Sequence, residues 1–222
     1  MILGTICCRY GSKGIPGKNM KDLCGWPLVY WTMWCALKCP ELTDVIISTD
    51  DENVSRYCAP AIYAEGRPEH LCTDTASKWD VYKYIAKKHN LKPRDILVDL
   101  DTGCPMRKPE DITACIEKLG DLDMVCTAYE PERNPYFNMI EQNRWGDWGI
   151  VRRMTPPITR RQVAPVVYSV SPAVFAIRVN ALTTYNHWSE ARLGVHVIPR
   201  ERALDIDTPL DWDIVEFLMR RK

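Results

Sequence analysis

The chain has 222 residues, and its 29 Lys+Arg balance 29 Asp+Glu to a formal net charge of zero, so no global field favours nucleic acid or an anionic membrane as partner. That length builds one α/β domain with a sizeable core and leaves little room for a second. Ten cysteines lie within apolar runs (Cys7, Cys8, Cys35, Cys126) or on expected helices (Cys58, Cys115) and form no C-x-x-C pair, which argues against a disulfide scaffold or structural zinc and for free thiols in a reducing cytoplasm.

In chain order, apolar strand-like runs alternate with helical patterns. A strand over 2–8 is followed by a helix over 27–38, a strand over 45–48, a short helix after Asp51 and a strand over 61–64. A helix over 78–89, a strand over 96–100, a helix over 109–119 and a strand over 124–128 continue the pattern. Such alternation predicts an α/β fold, a mostly parallel sheet with helices on both faces. Between about 130 and 166 it stops, in a segment rich in Pro, Asn, Trp and Arg. This stretch is too long for a simple connection and too aromatic for a disordered linker, so it reads as an excursion within a single domain spanning 1–222, with dimerisation as its favoured purpose. A strand over 168–177, a helix over 179–184, a strand over 195–199 and a helix over 209–219 close the chain. The first apolar run breaks at Arg9, too soon for a signal peptide, and no run approaches a membrane span, so a cytoplasmic protein is expected.

Residues 9–19, R-Y-G-S-K-G-I-P-G-K-N, follow the first strand directly. Glycines let backbone N–H groups approach phosphate oxygens, and Arg9, Lys13 and Lys18 add the charge those dipoles lack. Ser12 stands where a Walker A loop needs its first Gly, and Asn19 where it needs Ser or Thr. The G-x-G-x-x-G pattern is absent as well. The expectation is a loop wrapping a free nucleoside triphosphate, set against the plainer alternative of a solvated Gly/Lys turn; ligands sit at the carboxyl ends of strands in such sheets.

Asp205 and Asp207 flank apolar Ile206, so an extended segment points both carboxylates to one face. That suits Mg²⁺ bridging phosphates, whereas Asp207 or Thr208 could instead cap a helix starting at Pro209. Asp99 and Asp101 share the alternation and could meet ribose, cytosine or metal, or merely form a turn ahead of Gly103. Arg107 could neutralise phosphate or stand solvated before a helix. Asp50, in Thr49-Asp50-Asp51, reads as weak beside a capping role. Tyr168 and Phe175 read first as core, and His70, His89, His187 and His196 show no ligand spacing.

Five segments in order resemble the N-acylneuraminate cytidylyltransferases, which join CTP to nine-carbon 2-keto sugar acids: residues 9–19, Ser48-Thr49-Asp50-Asp51, Asp99-Leu100-Asp101 with Pro105 and Arg107, Arg160-Arg161-Gln162 with Pro165 and Tyr168, and Asp205-Ile206-Asp207-Thr208 with Asp211. The resemblance spans nearly the whole chain. It implies a Rossmann-like nucleotidyltransferase fold, a homodimer and Mg²⁺-dependent transfer. It implies nucleotide contacts at Arg9, Gly11, Ser12, Lys13, Gly14, Lys18, Asn19, Asp99, Asp101 and Arg107, with Arg9, Lys18 and Asp207 catalytic and Asp205 and Asp207 on the metal. Acceptor contacts are implied at Arg160, Arg161, Gln162, Tyr168, Ser171 and Phe175, the two arginines offering carboxylate forks. Two departures stand out: Gly103-Cys104 replaces T-S, removing a hydroxyl from the nucleotide side, and Ser171-Pro172 occupies the place of an Asn in the sugar region. A 3-deoxy-octulosonate cytidylyltransferase and a degenerate, non-catalytic nucleotide-binding subunit are the alternatives.

Overall fold

A computed structural model describes residues 1–11, 13–58 and 62–221. Its strands are β1 (Ile2–Cys7), β2 (Asp22–Leu23), β3 (Trp26–Pro27), β4 (Asp44–Thr49), β5 (Tyr63–Gly66), β6 (Ile96–Asp99), β7 (Met124–Tyr129), β8 (Ile140–Gln142), β9 (Trp148–Ile150), β10 (Ser169–Arg178) and β11 (Leu193–Val197). The helices are α1 (Leu28–Leu37), α2 (Glu52–Cys58), α3 (Lys78–Lys88), α4 (Pro109–Lys118), α5 (Val179–Thr184) and α6 (Pro209–Arg220). Seven strands form one sheet in the order β11-β7-β10-β6-β1-β4-β5, and only β10 runs antiparallel to its neighbours. The sheet is mostly parallel with helices on both faces, as the alternation of apolar runs requires.

Strand residues alternate between the two faces. Ile6 and Val98 point towards α1, α2 and α4, where Val29, Met33, Val54 and Ile112 meet them. Leu3 and Leu97 point the other way, to Trp79 and Ile85 of α3 and Leu182 of α5. Each fully buried Leu or Ile contributes roughly 1.5–3 kcal/mol relative to exposure, so the sheet holds its register and therefore the positions of its loop-bearing ends. A third cluster joins α6, through Trp212 and Val215, to Ile15, Leu23, Leu28, Met106 and Ile206. It clamps the first glycine-rich loop against the segment before α6.

The boundaries differ from expectation at two edge strands. The strand expected over 61–64 is β5 at Tyr63–Gly66, with Ala61 outside the described residues, and the one expected over 195–199 begins earlier, at Leu193. In the 130–166 excursion β8 and β9 form an antiparallel hairpin. Trp145, Trp148, Ile140 and Val166 are all exposed there.

Ser171-Pro172 lies in a bulge where β10 slips its register against β7, between Ser171 opposite Thr127 and Phe175 opposite Cys126. Proline has no N–H to offer the ladder, and a bulge is where a strand tolerates it. The Thr127 hydroxyl closes the gap, donating to the Ser171 carbonyl at 3.0 Å and accepting from the Val174 amide at 3.0 Å.

Candidate active site

The carboxyl ends of β1, β5 and β6 open on a crevice of about 480 Å³ lined by Arg9, Lys13, Gly14, Lys18, Asn19, Arg67, Asp74, Lys78, Asp101, Thr102 and Asp207, among others. The 9–19 loop enters it directly from β1. Gly11 adopts φ 87° and Gly17 φ 65°, the left-handed region that glycine enters without strain. Gly14 has a different reason to lack a side chain: an added Cβ would lie 1.9 Å from the Asp207 carbonyl oxygen. The tip of the loop therefore rests on the backbone that carries the aspartates. Lys18 secures the same contact, its ammonium donating to the Ile206 carbonyl at 2.6 Å and lying 3.5 Å from the Asp207 carboxylate. Asn19 is buried and ties the loop to the turn after β6, donating to the Arg9 carbonyl at 3.3 Å and accepting from the Thr102 hydroxyl at 2.9 Å.

Arg9 and Lys13 both pair with Asp74, on the loop ahead of α3. The side-chain hydrogen bonds from Lys13 and then Arg9 hold the Asp74 carboxyl below its usual range. The Tyr10 amide donates to Asp50 at 2.6 Å, so Asp50 holds the loop, while Asp51 accepts the Asn53 amide at 2.9 Å at the start of α2.

On the opposite wall Asp101 accepts from Lys78 at 2.6 Å and from the Gly103 amide at 2.9 Å. Burial works to raise its carboxyl, but Lys78 outweighs that and holds it below the usual range. Burial would likewise lower the Lys78 ammonium, and the Asp101 and Asp99 charges outweigh it, keeping it well above its ordinary value. Asp205 is pushed up to about 6, by burial first and then by the charges of Asp101 and Asp207. Three carboxylates thus crowd one place, and repulsion of this kind is what a bound cation relieves. Among the described residues no three His, Cys, Asp or Glu side chains form a preformed metal cage. Mg²⁺ needs none, since it takes one or two carboxylates and completes its shell with phosphate oxygens and water.

The competing role as helix cap falls to other residues. Thr208 is the N-cap of α6, its hydroxyl accepting from the Asp211 amide at 3.3 Å, while Asp211 accepts from the Thr208 amide at 2.8 Å. The Asp207 carboxylate takes no part and is 74% exposed at the crevice.

Several expected site residues stand elsewhere. Ser12 lies outside the described residues, and Gly11 is exposed beside the crevice. Arg107 is not a phosphate ligand: it is buried, donating to the Asp101 carbonyl at 3.0 Å, to the Ala173 carbonyl at 2.5 Å and to the Thr32 hydroxyl at 2.7 Å. It ties the crevice wall to β10 and α1. Asp99 is fully buried, beneath Lys78 and Tyr82. Ser171 is buried too, its hydroxyl donating to the Ala203 carbonyl at 3.3 Å, and it does not line the crevice. Cys104 packs with Ala173, Ile198 and Ala203, which removes the supposed loss of a nucleotide-facing hydroxyl there. At Gly103 a Cβ would come 2.0 Å from Asp205 Oδ1, so a side chain would displace the aspartate. Arg160, Arg161 and Gln162 are exposed on the excursion and Tyr168 just after it, and within one chain none of them lines the crevice; Arg161 donates to the Pro131 carbonyl at 2.8 Å. Phe175 borders a separate aromatic cavity of about 180 Å³ with Trp79, Tyr82, His187 and Trp188.

Sequence reasoning missed Arg67, Asp74, Lys78 and the His187-Trp188 pair. Arg67 is fixed on the rim by the Ser48 carbonyl at 2.9 Å. Its only sequence signal is a cation just past an edge strand.

A model of the cytidylyltransferase family matches residues 3–193. The chain is 30% identical to post-translational flagellin modification protein B of Campylobacter coli, over all of this chain and 96% of that protein. It is also 30% identical to CMP-N,N'-diacetyllegionaminic acid synthase of Campylobacter jejuni, again over 100% and 96%. Among solved structures, a CMP:2-keto-3-deoxy-manno-octonic acid synthetase complexed with CTP superposes with TM-score 0.72 at 20% identity, covering 100% of this chain and 99% of that one, which establishes the shared fold.

Proposed function

Because the chain belongs to the cytidylyltransferase family, we propose that it joins CTP to a nine-carbon, sialic acid-like 2-keto sugar acid, releasing pyrophosphate and a CMP-sugar. The observation that carries this reading is the meeting of the 9–19 loop with the Asp205–Asp207 segment, locked by Gly14 and Lys18. The C2 hydroxyl of the acceptor attacks the α-phosphorus in line; the new P–O bond forms as the bond to pyrophosphate breaks, and the hydroxyl proton leaves to water. Lys18, Arg9 and Lys13 hold the phosphates and neutralise the charge that accumulates on them, so that positioning and electrostatics supply the rate. Mg²⁺ held by Asp205 and Asp207, with Asp101 beside them, would supply further neutralisation at the triphosphate. The CMP-N,N'-diacetyllegionaminic acid synthase at 30% identity favours the nine-carbon acceptor over the octulosonate, whose enzyme matches this chain in fold alone.

Pyrophosphate release tests the reading. With the correct 2-keto acid, CTP should outpace ATP, GTP and UTP by at least on the order of 100-fold, because groups built to pair with cytosine are left unpaired by another base. Equal rates with all four nucleotides would remove the cytidine assignment, and no release with any 2-keto acid would remove the activity.

The same reading places the enzyme in the cytoplasm as a homodimer. All ten cysteines are free thiols, and no described helix is long and apolar enough to cross a membrane. For the dimer, the support is the excursion, where Trp145, Trp148, Ile140 and Val166 stand in water beside Arg160, Arg161, Gln162 and Tyr168. Burying those side chains against a second copy would carry the arginine forks to the partner's crevice and its carboxylate-bearing acceptor. Arg161→Ala should therefore raise the KM for the 2-keto acid by roughly 10- to 100-fold, the worth of a charge-assisted hydrogen bond, with little change in CTP binding. Mixing it with a Lys18→Ala chain should restore one working site per heterodimer. An unchanged acceptor KM would leave Arg161 as solvated surface.

A further inference from the structure

Among the described residues, Lys78 is the one shared by the walls of the nucleotide crevice and the aromatic cavity. It opens α3, whose N-cap Ser77 accepts the Trp79 amide at 3.1 Å, so its side chain leaves a fixed helix end rather than a loop. The ammonium donates to Asp99 Oδ2 at 3.0 Å and to Asp101 Oδ2 at 2.6 Å. Tyr82, one helical turn further on, donates to the same Asp99 oxygen at 2.7 Å. Asp99 has no solvent exposure, and its Oδ1 has no partner among the described residues.

Two features of this arrangement point beyond a structural ion pair. A buried carboxylate with one orphaned oxygen, facing a second carboxylate across a single positive charge, is a donor set that suits a divalent cation as well as an ammonium. The second carboxylate, Asp101, also lies beside Asp205, so the Lys78 charge and the Mg²⁺ assigned to Asp205 and Asp207 would be neighbours, as paired ions are in two-ion phosphoryl-transfer sites. An ammonium has three N–H donors, and two are taken. The third remains on a side chain that is 43% exposed where the two cavities meet.

We propose that Lys78 is the built-in second cation of the transfer centre: its ammonium stands between Asp99 and Asp101 where a divalent ion would otherwise bind, and its free N–H meets a substrate oxygen at the junction of the two cavities. This rests on the cytidylyl-transfer reading. The charge is fixed by the fold rather than recruited from solution, so the protein needs only one metal ion.

Manganese binding and kinetics test it together. In nucleotide-free Lys78→Ala, the count of bound Mn²⁺ by electron paramagnetic resonance should rise by one per chain over wild type. With Mg²⁺ held at about one equivalent per chain, too little to fill the vacated position as well, the kcat for CTP-dependent pyrophosphate release should fall on the order of 100-fold, the cost of removing one preorganised donor at a developing charge, while the calorimetric Kd for CTP stays within about tenfold. Added ethylammonium should recover part of the lost kcat, which a merely structural lysine would not allow. A Mn²⁺ count equal to wild type overturns the proposal, and so does a kcat within about threefold of it. Should the unpaired Asp99 charge unfold the single variant, Lys78→Ala with Asp99→Asn removes that charge; the pair should keep the kcat deficit and its ethylammonium recovery, and wild-type kcat in the pair overturns the proposal. A wild-type protein that releases no pyrophosphate would sink the cytidylyl-transfer reading instead, and the Mn²⁺ count, which needs no acceptor, would still judge the lysine.

Discussion

Asp207→Asn should lose on the order of 10³-fold in kcat while melting within a degree or two of wild type. The loss follows from removing one of the few charges that would hold a metal at the triphosphate, an interaction worth several kcal/mol in the transition state. The unchanged melting follows from the cap: Thr208 and Asp211 satisfy the first turn of α6 between them, and Asp207 offers that helix only its backbone amide, which donates to Asp211 at 3.2 Å. Thr208→Ala should show the mirror pattern. Losing an N-cap hydroxyl costs about 1 kcal/mol, which lowers Tm by roughly 2–4 °C in a chain of this size, with turnover largely kept. Calorimetry and pyrophosphate release on the two variants separate the roles. An Asp207→Asn protein that melts early and turns over normally would return the residue to capping.

Gly14→Ala should lower CTP affinity on the order of 100-fold, since the 1.9 Å approach of its Cβ to the Asp207 carbonyl lies far inside contact distance and backbone faces backbone, so no rotamer change relieves it. Either the loop or the 204–208 segment must move, and the Lys18 bond to the Ile206 carbonyl breaks with the movement. The two larger core clusters lie on the sheet faces and do not include Gly14, so the fold should survive. Gly66→Ala is the control, because a Cβ there meets nothing within 4 Å. Titration calorimetry with CTP checks both, and a Gly14→Ala protein that binds CTP like wild type would show the loop and the aspartate segment to be independent.

The order of strands and helices was legible in the sequence because period-2 and period-3.6 patterns follow from burial, and burial in this fold is nearly complete on both sheet faces. The antiparallel direction of β10 was not, since an apolar strand has the same pattern whichever way it runs. Cations were harder to place than glycines. Arg107 precedes a helix and looks solvated, yet it is the most enclosed arginine of the site, because the bulge in β10 turns the Ala173 carbonyl towards it. Lys78 was hidden by its position as the first residue of an amphipathic helix, where a lysine ordinarily needs no explanation. Gly103 looked like a missing hydroxyl, and only the 2.0 Å approach of Asp205 to an added Cβ gives its reason. Such reasons depend on partners 21, 66 and about a hundred residues away for Lys78, Arg107 and Gly103, and no local pattern records them.

Asp74 makes ligand entry an exchange of anions. With its single carboxylate already shared between Arg9 and Lys13, the two cations wait half-neutralised, not bare. On the cytidylyl-transfer reading, a triphosphate arriving in the crevice would release a tethered carboxylate instead of dissolved chloride. The displaced group cannot diffuse away, so it remains a competitor at high local concentration, weakening retention of the nucleotide and easing departure of pyrophosphate. The segment that carries it also leads into α3 and Lys78, the lysine that joins the two cavities.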